Sequence, residues 1–422
     1  MPVTLKRVGV GYLMSWPEND IAIAVDRLRE SSDYTVTGEI VIRSTSREVG
    51  GQIFRGRLNF TGPQAQASLI KALNDHNAGI VPSWPVVVSQ LVGGVLEALR
   101  QGEPVLAAPD MKRSERVPYR LAPFLLERQP TLIYGDGGAG KSMMALWWSL
   151  LVSTPVSENE TGYPCEPGAV LYLDYETDQD DFIERVDLLG QGTGYGRPPG
   201  LFYRRCFRPL ASEVSELEKV VIEKEVKLIV VDSAGLACGG APQDEAMVLP
   251  FFGALRQLNV ASVTIAHVPK NAERKTPLGS VYWWNMPRSV YEVKKVQEAG
   301  EDHLSLGLFH VKANRGRLQK PHGFDLRFEP SPDRPDQFVA IHVRRRDVRD
   351  IPELASSLPL RDRAIAALRR GALSSEALAE ELDANLNSVR KLLSDYKGRF
   401  FVITNPLERS ALWAVLDSHR GE

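Results

Sequence analysis

The residues most able to do chemistry are the eight of Gly135-Asp136-Gly137-Gly138-Ala139-Gly140-Lys141-Ser142. Their spacing is that of a P-loop, in which backbone N–H groups close on phosphate oxygens, a lysine neutralises the β and γ oxygens, and a hydroxyl ligates Mg²⁺. The pattern carries that meaning only between a strand and a helix. Both flanks fit: Thr131–Tyr134 is strand-type, and the apolar run Met143–Leu151 is helix-forming. Glycines at 135, 137, 138 and 140 are expected to supply positive φ and close approach, with the helix N-terminus aimed at the anion. The implied site is a nucleotide site, with Lys141 on the phosphates and Ser142 on the metal.

Three further strand ends belong with it. Leu228–Val231 is four apolar residues closed by Asp232, the form of a Walker B strand whose carboxylate holds Mg²⁺. Val170–Leu173 runs into Asp174-Tyr175-Glu176, so that Glu176, or otherwise Asp174, stands where a general base for an attacking water would be. Val263–Ala266 ends at His267, a polar ring at the C-terminal end of a buried strand, where open α/β sheets bind ligands. On chemistry alone a single histidine there is as readily structural.

Stepping out to the elements that must hold these groups, the stretch 117–346 alternates strand and helix patterns, the signature of a largely parallel sheet with helices on both faces. The expected strands are Thr131–Tyr134, Val170–Tyr175, Phe202–Arg205, Lys227–Asp232 and Ser262–His267, with shorter ones near Leu304–Val311, Phe324–Phe328 and Phe338–Val343 extending the far edge. Before it, residues 1–106 read as a small α+β accessory domain. Tyr34–Arg43 and Gln52–Phe60 alternate as an antiparallel hairpin, and helical stripes follow at Gln64–Asp75 and Val86–Arg100. The polar stretch 107–116 is the expected linker.

The whole chain has 422 residues, 43% hydrophobic, and a formal net charge of −2, enough for two or three cores and without a global basic field that would announce nucleic acid. Its three cysteines, Cys165, Cys206 and Cys238, fit neither a disulfide framework nor metal-ligand spacing, which points to a reducing, cytoplasmic setting. Neither a signal core nor a bilayer-length apolar run is found, so no membrane partner is expected.

The set Gly135–Ser142, Asp174-Tyr-Glu176, Val231-Asp232-Ser233, His267-Val-Pro-Lys270, Gly279–Ser289 and Val311-Lys312-Ala-Asn314 resembles the RecA-fold ATPases of plasmids and phages. These are similar to the hexameric replicative helicase RepA, with DnaB-type helicases more distant. The likeness covers roughly residues 117–330. It implies ATP and Mg²⁺ as cofactors, Glu176 as catalytic base, His267 as γ-phosphate sensor, a homo-oligomeric ring, and an arginine finger entering the neighbouring subunit's site. Arg288 matches the RepA-like placement of that finger. DnaB-type enzymes instead use a K-x-R pair at the strand that here reads His310-Val-Lys312-Ala-Asn314-Arg315, where Asn314 replaces the arginine, leaving Lys312, Arg315 or Arg317 as substitutes. In a ring, the loops at 234–244 and 268–279 would line the pore, and Lys270, Arg274 and Lys275 in the second would track single-stranded DNA.

Beyond residue 352 the pattern changes. Arg361–Arg370, Ser375–Leu382 and Leu386–Tyr396 read as three short helices, followed by a hairpin of Arg399–Pro406 and Ala411–Val415, the plan of a winged helix over 352–422. Its third helix would present Asn387, Ser388, Arg390 and Lys391 to duplex DNA, or the domain would dock a replication protein. The expectation is therefore an α/β chain with a RecA-like P-loop core, a small α+β N-terminal domain and a C-terminal winged helix. Its activity would be that of an ATP-dependent DNA motor, or otherwise a nucleotide-switched DNA-binding regulator or partition-type protein.

Overall fold

The computed structural model describes residues 3–8, 11–31, 33–45, 51–76, 83–102, 105–111, 119–155, 162–268, 279–334, 336–405 and 411–416. The chain divides into two compact units, one of residues 1–118, 208–226 and 253–259, the other of 119–207, 227–252 and 260–422.

In the first unit, β1 (Thr4–Val8), β2 (Gly11–Trp16), β3 (Ile21–Glu30), β4 (Val36–Ser44) and β5 (Gly51–Asn59) form a five-stranded antiparallel meander in chain order. The hairpin read from sequence is β4 and β5; the three strands before it were not anticipated. Tyr12, Met14, Trp16, Ile21, Ile23 and Val25 alternate inward from β2 and β3, as a half-buried sheet requires. Helices α1 (Pro63–His76) and α2 (Trp84–Gln101) follow, and Val88, Leu91 and Val95 of α2 join the same core. The unit also takes in residues 208–226, from which Glu216 pairs with Arg27 at 3.0 Å and Lys219 with Asp26.

The second unit begins with the short strands β6 (Tyr119–Leu121) and β7 (Leu125–Leu126). Its main body is a nine-stranded sheet of β8 (Pro130–Gly135), β9 (Ala169–Asp174), β10 (Leu201–Arg205), β11 (Val226–Asp232), β12 (Ala261–His267), β13 (Ser289–Val296), β14 (His303–Ala313), β15 (His322–Pro330) and β16 (Phe338–Arg346), in the order β10-β9-β11-β12-β8-β13-β14-β15-β16. The pairs β10/β9, β11/β12, β12/β8 and β8/β13 are parallel, and β13 through β16 are antiparallel. A mixed sheet with a parallel half of this kind fits a RecA-like P-loop core. Leu228–Val231 on β11 are wholly buried, which is why that run lacks alternation.

The helices that follow in sequence are α3 (Lys141–Ser153), α4 (Gln179–Thr193), α5 (Leu210–Glu223), which belongs to the first unit, the single turn α6 (Ala234–Ala237), α7 (Glu245–Leu258), whose last turn and a half also counts with the first unit, and the turn α8 (Tyr282–Asn285). α3 is apolar around most of its circumference and correspondingly buried on every side, with Trp147 and Trp148 inside the main core. α4 is capped by Asp178, whose carboxylate accepts from the Asp180 and Asp181 N–H groups. At its other end Gly192 lies against β16 so closely that a Cβ would meet the Ile341 carbonyl oxygen at 2.1 Å.

A short helix α9 (Pro352–Ala355) leads to the last segment: α10 (Leu360–Arg370), β17 (Leu373–Ser374), α11 (Ser375–Glu381), α12 (Leu386–Asp395), β18 (Phe401–Ile403) and β19 (Leu412–Val415). The three strands are antiparallel in the order β17-β19-β18 and share a core of Leu368, Leu378, Val389, Leu393 and Phe401 with the helices. Ser374 caps α11 and Asn385 caps α12, each through its side-chain oxygen.

Candidate nucleotide site

The C-terminal ends of β8, β9, β11 and β12 bring together the residues singled out by motif. Gly135 closes β8 opposite His267 of β12, and the Tyr175 N–H, just past β9, bonds to the Asp232 carbonyl at 2.6 Å. The glycines of the loop serve different ends. Gly138 (φ 68°) and Gly140 (φ 79°) occupy the left-handed region, and Gly140 also caps α3. Gly135 has no such φ: it is required because a Cβ would meet the Val293 carbonyl oxygen of β13 at 2.3 Å. Gly137 shows neither constraint, so the expectation of positive φ at all four positions is corrected to two. Asp136 and Ala139 close the turn through a backbone bond of 3.2 Å.

Lys141 is 3% exposed. Its ammonium donates to the Gly135 and Asp136 carbonyls at 3.1 and 2.8 Å, with His267 Nδ1 at 3.4 Å. Lysine has no acceptor, so Nδ1 must accept, and the proton of neutral His267 is fixed on Nε2. Nε2 stands 3.3 Å from Glu176 Oε1 and donates to it. A line of hydrogen bonds therefore runs from the phosphate lysine through the histidine to the carboxylate. Burial pulls the Lys141 ammonium below its ordinary pKa, opposed by Asp232, Glu176 and Asp136. The His267 hydrogen bond holds Glu176 below the ordinary glutamate value, helped by a hydrogen bond from Ser233 and the charge of Lys141 and opposed by burial. An ionised carboxylate with an open face is what a general base needs: the Glu176 side chain is 34% exposed.

Asp174, the alternative base, is committed elsewhere. It is 2% exposed, and its oxygens accept from the Glu176 and Thr177 N–H groups at 2.9 Å each, the Thr177 hydroxyl at 2.7 Å and the Tyr203 hydroxyl at 3.2 Å. It builds the turn that carries Glu176.

Asp232 Oδ2 accepts from the Tyr172 hydroxyl at 2.7 Å, while Oδ1 is buried with no protein hydrogen-bond partner. Burial raises the Asp232 pKa, and the hydroxyls of Tyr172 and nearby Ser142 pull it back. A buried, orphaned carboxylate oxygen beside the Ser142 hydroxyl fits a hard, oxygen-seeking cation, and these two residues would hold Mg²⁺. The cradle of Gly135–Ser142 fits nucleotide phosphates. Bound there, the metal would supply charge stabilisation at the phosphates.

Three supporting residues were given no role in the sequence reading. Ser233 and Tyr172 fix the two carboxylates, as described. Lys295, exposed near the end of β13, reaches the loop: a Cβ on Gly138 would stand 3.7 Å from its Nζ. It lies more than 150 residues downstream, outside any motif, so only the pairing of β13 with β8 brings it there.

The finger candidates lie at the other end of the sheet. The Arg288 N–H bonds to the Pro130 carbonyl at 2.9 Å, at the start of β8, and its side chain is exposed. Arg315 is exposed just past β14, near the same end. Lys312 is partly buried beside them, but its ammonium is bound by the Trp284, Asn285 and Pro287 carbonyls at 2.5, 3.0 and 2.7 Å. It closes the turn of α8. Lys270, Arg274 and Lys275 lie outside the described residues. Arg390 and Lys391 are exposed on α12, and Arg390 pairs with Glu376 at 2.6 Å.

Residues 97–273 match the family model described as "AAA domain", less than half of the chain. This segment is a P-loop ATPase domain. Among solved structures the chain is similar to a KaiC-like protein from the hyperthermophilic archaeon Pyrococcus horikoshii, with 16% identity over 53% of this chain and 93% of that one, at a TM-score of 0.37. No curated protein matches the chain. Among the described residues no helix is long and apolar enough to cross a membrane.

Proposed function

We propose that this chain is an ATP-driven motor on single-stranded DNA, working in the cytoplasm as a ring of identical subunits, of the RepA-like replicative helicase type. The observation that carries the reading is the separation of two sets of groups. Lys141, Ser142, Glu176, Asp232 and His267 converge at one end of the strands, while the exposed Arg288 stands at the other, so a complete site is assembled by placing one subunit's sheet end against the next subunit's loop. Glu176 takes the proton of the attacking water, Lys141 holds the phosphate charge, to which a Mg²⁺ held by Ser142 and Asp232 would add, and Arg288 of a neighbour meets the charge that develops in transfer. His267, bonded to both Lys141 and Glu176, links the state of the phosphates to that of the base.

One observation favours the second reading, a nucleotide-switched regulator that binds duplex DNA. The order helix, short strand, two helices and hairpin in residues 360–415 supports a winged helix, with Asn387, Ser388 and Lys391 exposed on its third helix. The two readings separate in one set of measurements: sizing with and without ATP, ATP turnover with and without single-stranded DNA, and strand displacement on a forked duplex. A ring with strand-stimulated turnover and displacement is expected. Tight, sequence-specific duplex binding by a protein with little turnover would replace the motor with the regulator.

A further inference from the structure

Arg288 follows a turn with more backbone acceptors than its own N–H groups can satisfy. The single turn α8 ends at Asn285, and the N–H groups of Asn285 and Met286 bond back to Val281 and Tyr282. Further on, Pro287 has no N–H to offer, and that of Arg288 is taken by the Pro130 carbonyl of β8 at 2.9 Å. The carbonyls of Trp284, Asn285 and Pro287 converge instead on one group, the Lys312 ammonium of β14, at 2.5, 3.0 and 2.7 Å. An ammonium has three donors, and all three are used here. The Arg288 carbonyl in turn accepts from the Asn314 N–H at 2.9 Å. The backbone of Arg288 is thus committed on both sides, while its side chain is exposed and makes no ion pair with a described residue.

Two further features fix how the arginine leaves the sheet. The first is an anchor: Trp283 of α8 is wholly buried against Phe251 and Phe252 of α7, and its indole N–H donates to the Pro242 carbonyl at 2.7 Å. The turn is therefore pinned at one end by packing and at the other by Lys312. The second is charge. Burial first and the charge of Arg288 second pull the Lys312 ammonium below its ordinary pKa, so the two cations lie near enough to repel. Lys312 is locked on the carbonyls, and the exposed guanidinium is the one that yields. Repulsion directs it away from the sheet and outward.

We propose that Lys312 is a positioning residue for the arginine finger: it holds the turn that sets the direction of Arg288, and it acts on hydrolysis in the neighbouring subunit only through that arginine. This role rests on the reading of Arg288 as the finger. The competing arrangement is a lysine that leaves its carbonyls and touches the neighbour's phosphates itself. Its effect would then be independent of Arg288.

The test is a double-mutant cycle on the full chain, with Lys312→Met, Arg288→Ala and the two combined. Rates are read by steady-state phosphate release, and for the slow variants by single-turnover hydrolysis with enzyme in excess. Lys312→Met should lower kcat about 10²-fold, the cost of a catalytic group misplaced by about 1 Å, with ATP affinity and oligomer size as in the wild type. A merely structural loss would move the affinity or the sizing profile as well. Added to Arg288→Ala, the same change should alter the rate by less than about twofold, because the group it positions is already gone. Should Lys312→Met melt early, Lys312→Arg keeps a cation on the carbonyls, but its broader guanidinium must shift the turn; it should lower kcat in the same pattern by a smaller factor. An unchanged kcat in both Lys312 variants overturns the inference. So does a second fall of about 10²-fold in the double variant, which would make the lysine a contact of its own. If Arg288→Ala keeps wild-type turnover, the finger reading fails and takes this role with it, whereas loss in Arg288→Ala beside an unaffected Lys312→Met removes the positioning role alone.

Discussion

Arg288 cannot serve the P-loop of its own subunit. Its backbone N–H is bonded to the carbonyl of Pro130 at the start of β8, and Gly135 closes that strand. Five residues of extended chain separate the two ends by ~17 Å, further than an arginine side chain extends. If Arg288 is the finger, Arg288→Ala and Lys141→Ala each abolish hydrolysis for different reasons, the first by about three to five orders of magnitude with nucleotide binding intact. The two dead proteins then complement. Mixed in equal amounts in a head-to-tail ring, about one interface in four pairs an intact loop with an intact arginine. Turnover should rise by on the order of 10²-fold or more over either parent. The assay is steady-state phosphate release across a titration of one variant into the other, with sizing to show that mixed rings form. A mixture that stays as inactive as its parents while the wild type runs as a ring removes Arg288 from the site. Turnover by a wild-type monomer removes the ring.

Other outcomes follow from the site and its scaffold. Glu176→Gln should bind ATP normally and turn over roughly two to four orders of magnitude more slowly, whereas Asp174→Asn should mainly lower the melting temperature, because that carboxylate builds a turn; the reverse pattern in kcat and melting would exchange their roles. His267 is the largest influence holding the Glu176 pKa down, so in His267→Ala that pKa rises and the acid limb of kcat moves to higher pH; an unmoved limb would mean that a different group sets it. Lys295→Ala should raise the KM for ATP with little change in kcat, as expected for a cation that touches ground state and transition state alike, and an unchanged KM would leave Lys295 without a part in binding. Gly192→Ala drives a Cβ into the Ile341 carbonyl and should cost about 1–3 kcal/mol in denaturant unfolding; a neutral result would show that α4 can shift away from β16.

The cis groups of the site were legible in the sequence because each sits where a strand ends, and a buried parallel strand announces itself as an apolar run cut off by its first polar residue. Glu176 and Asp174 were harder to tell apart, being two residues apart on the same strand end. They differ in burial and in the backbone N–H groups of the following turn, which bond to Asp174, and neither difference can be read from spacing. β13 was missed because Glu292, Lys294 and Lys295 interrupt its apolar residues, although Val290, Tyr291 and Val293 face the core. Lys295 was missed with it. In the first unit the alternation of Tyr12, Met14 and Trp16 was available in the sequence, but the short turns around β2 left little to mark it off.

The packing of α4 on β16 sets a limit on how the chain can be shortened. The family match ends at residue 273, which would tempt an experimenter to express the matched segment alone. Yet the core around α3 is closed by Leu304, Leu306, Leu308, Phe324, Leu326 and Ile341, all beyond that point. The Gly192 carbonyl meets His342 Nδ1 at 3.1 Å across 150 residues of sequence. A fragment cut at residue 273 would leave one edge of β8 unpaired and strip the apolar lid from the helix that carries Lys141, both invitations to aggregate. The half that carries the P-loop and the antiparallel half share one interior, so a core substitution in either should lower the stability of both.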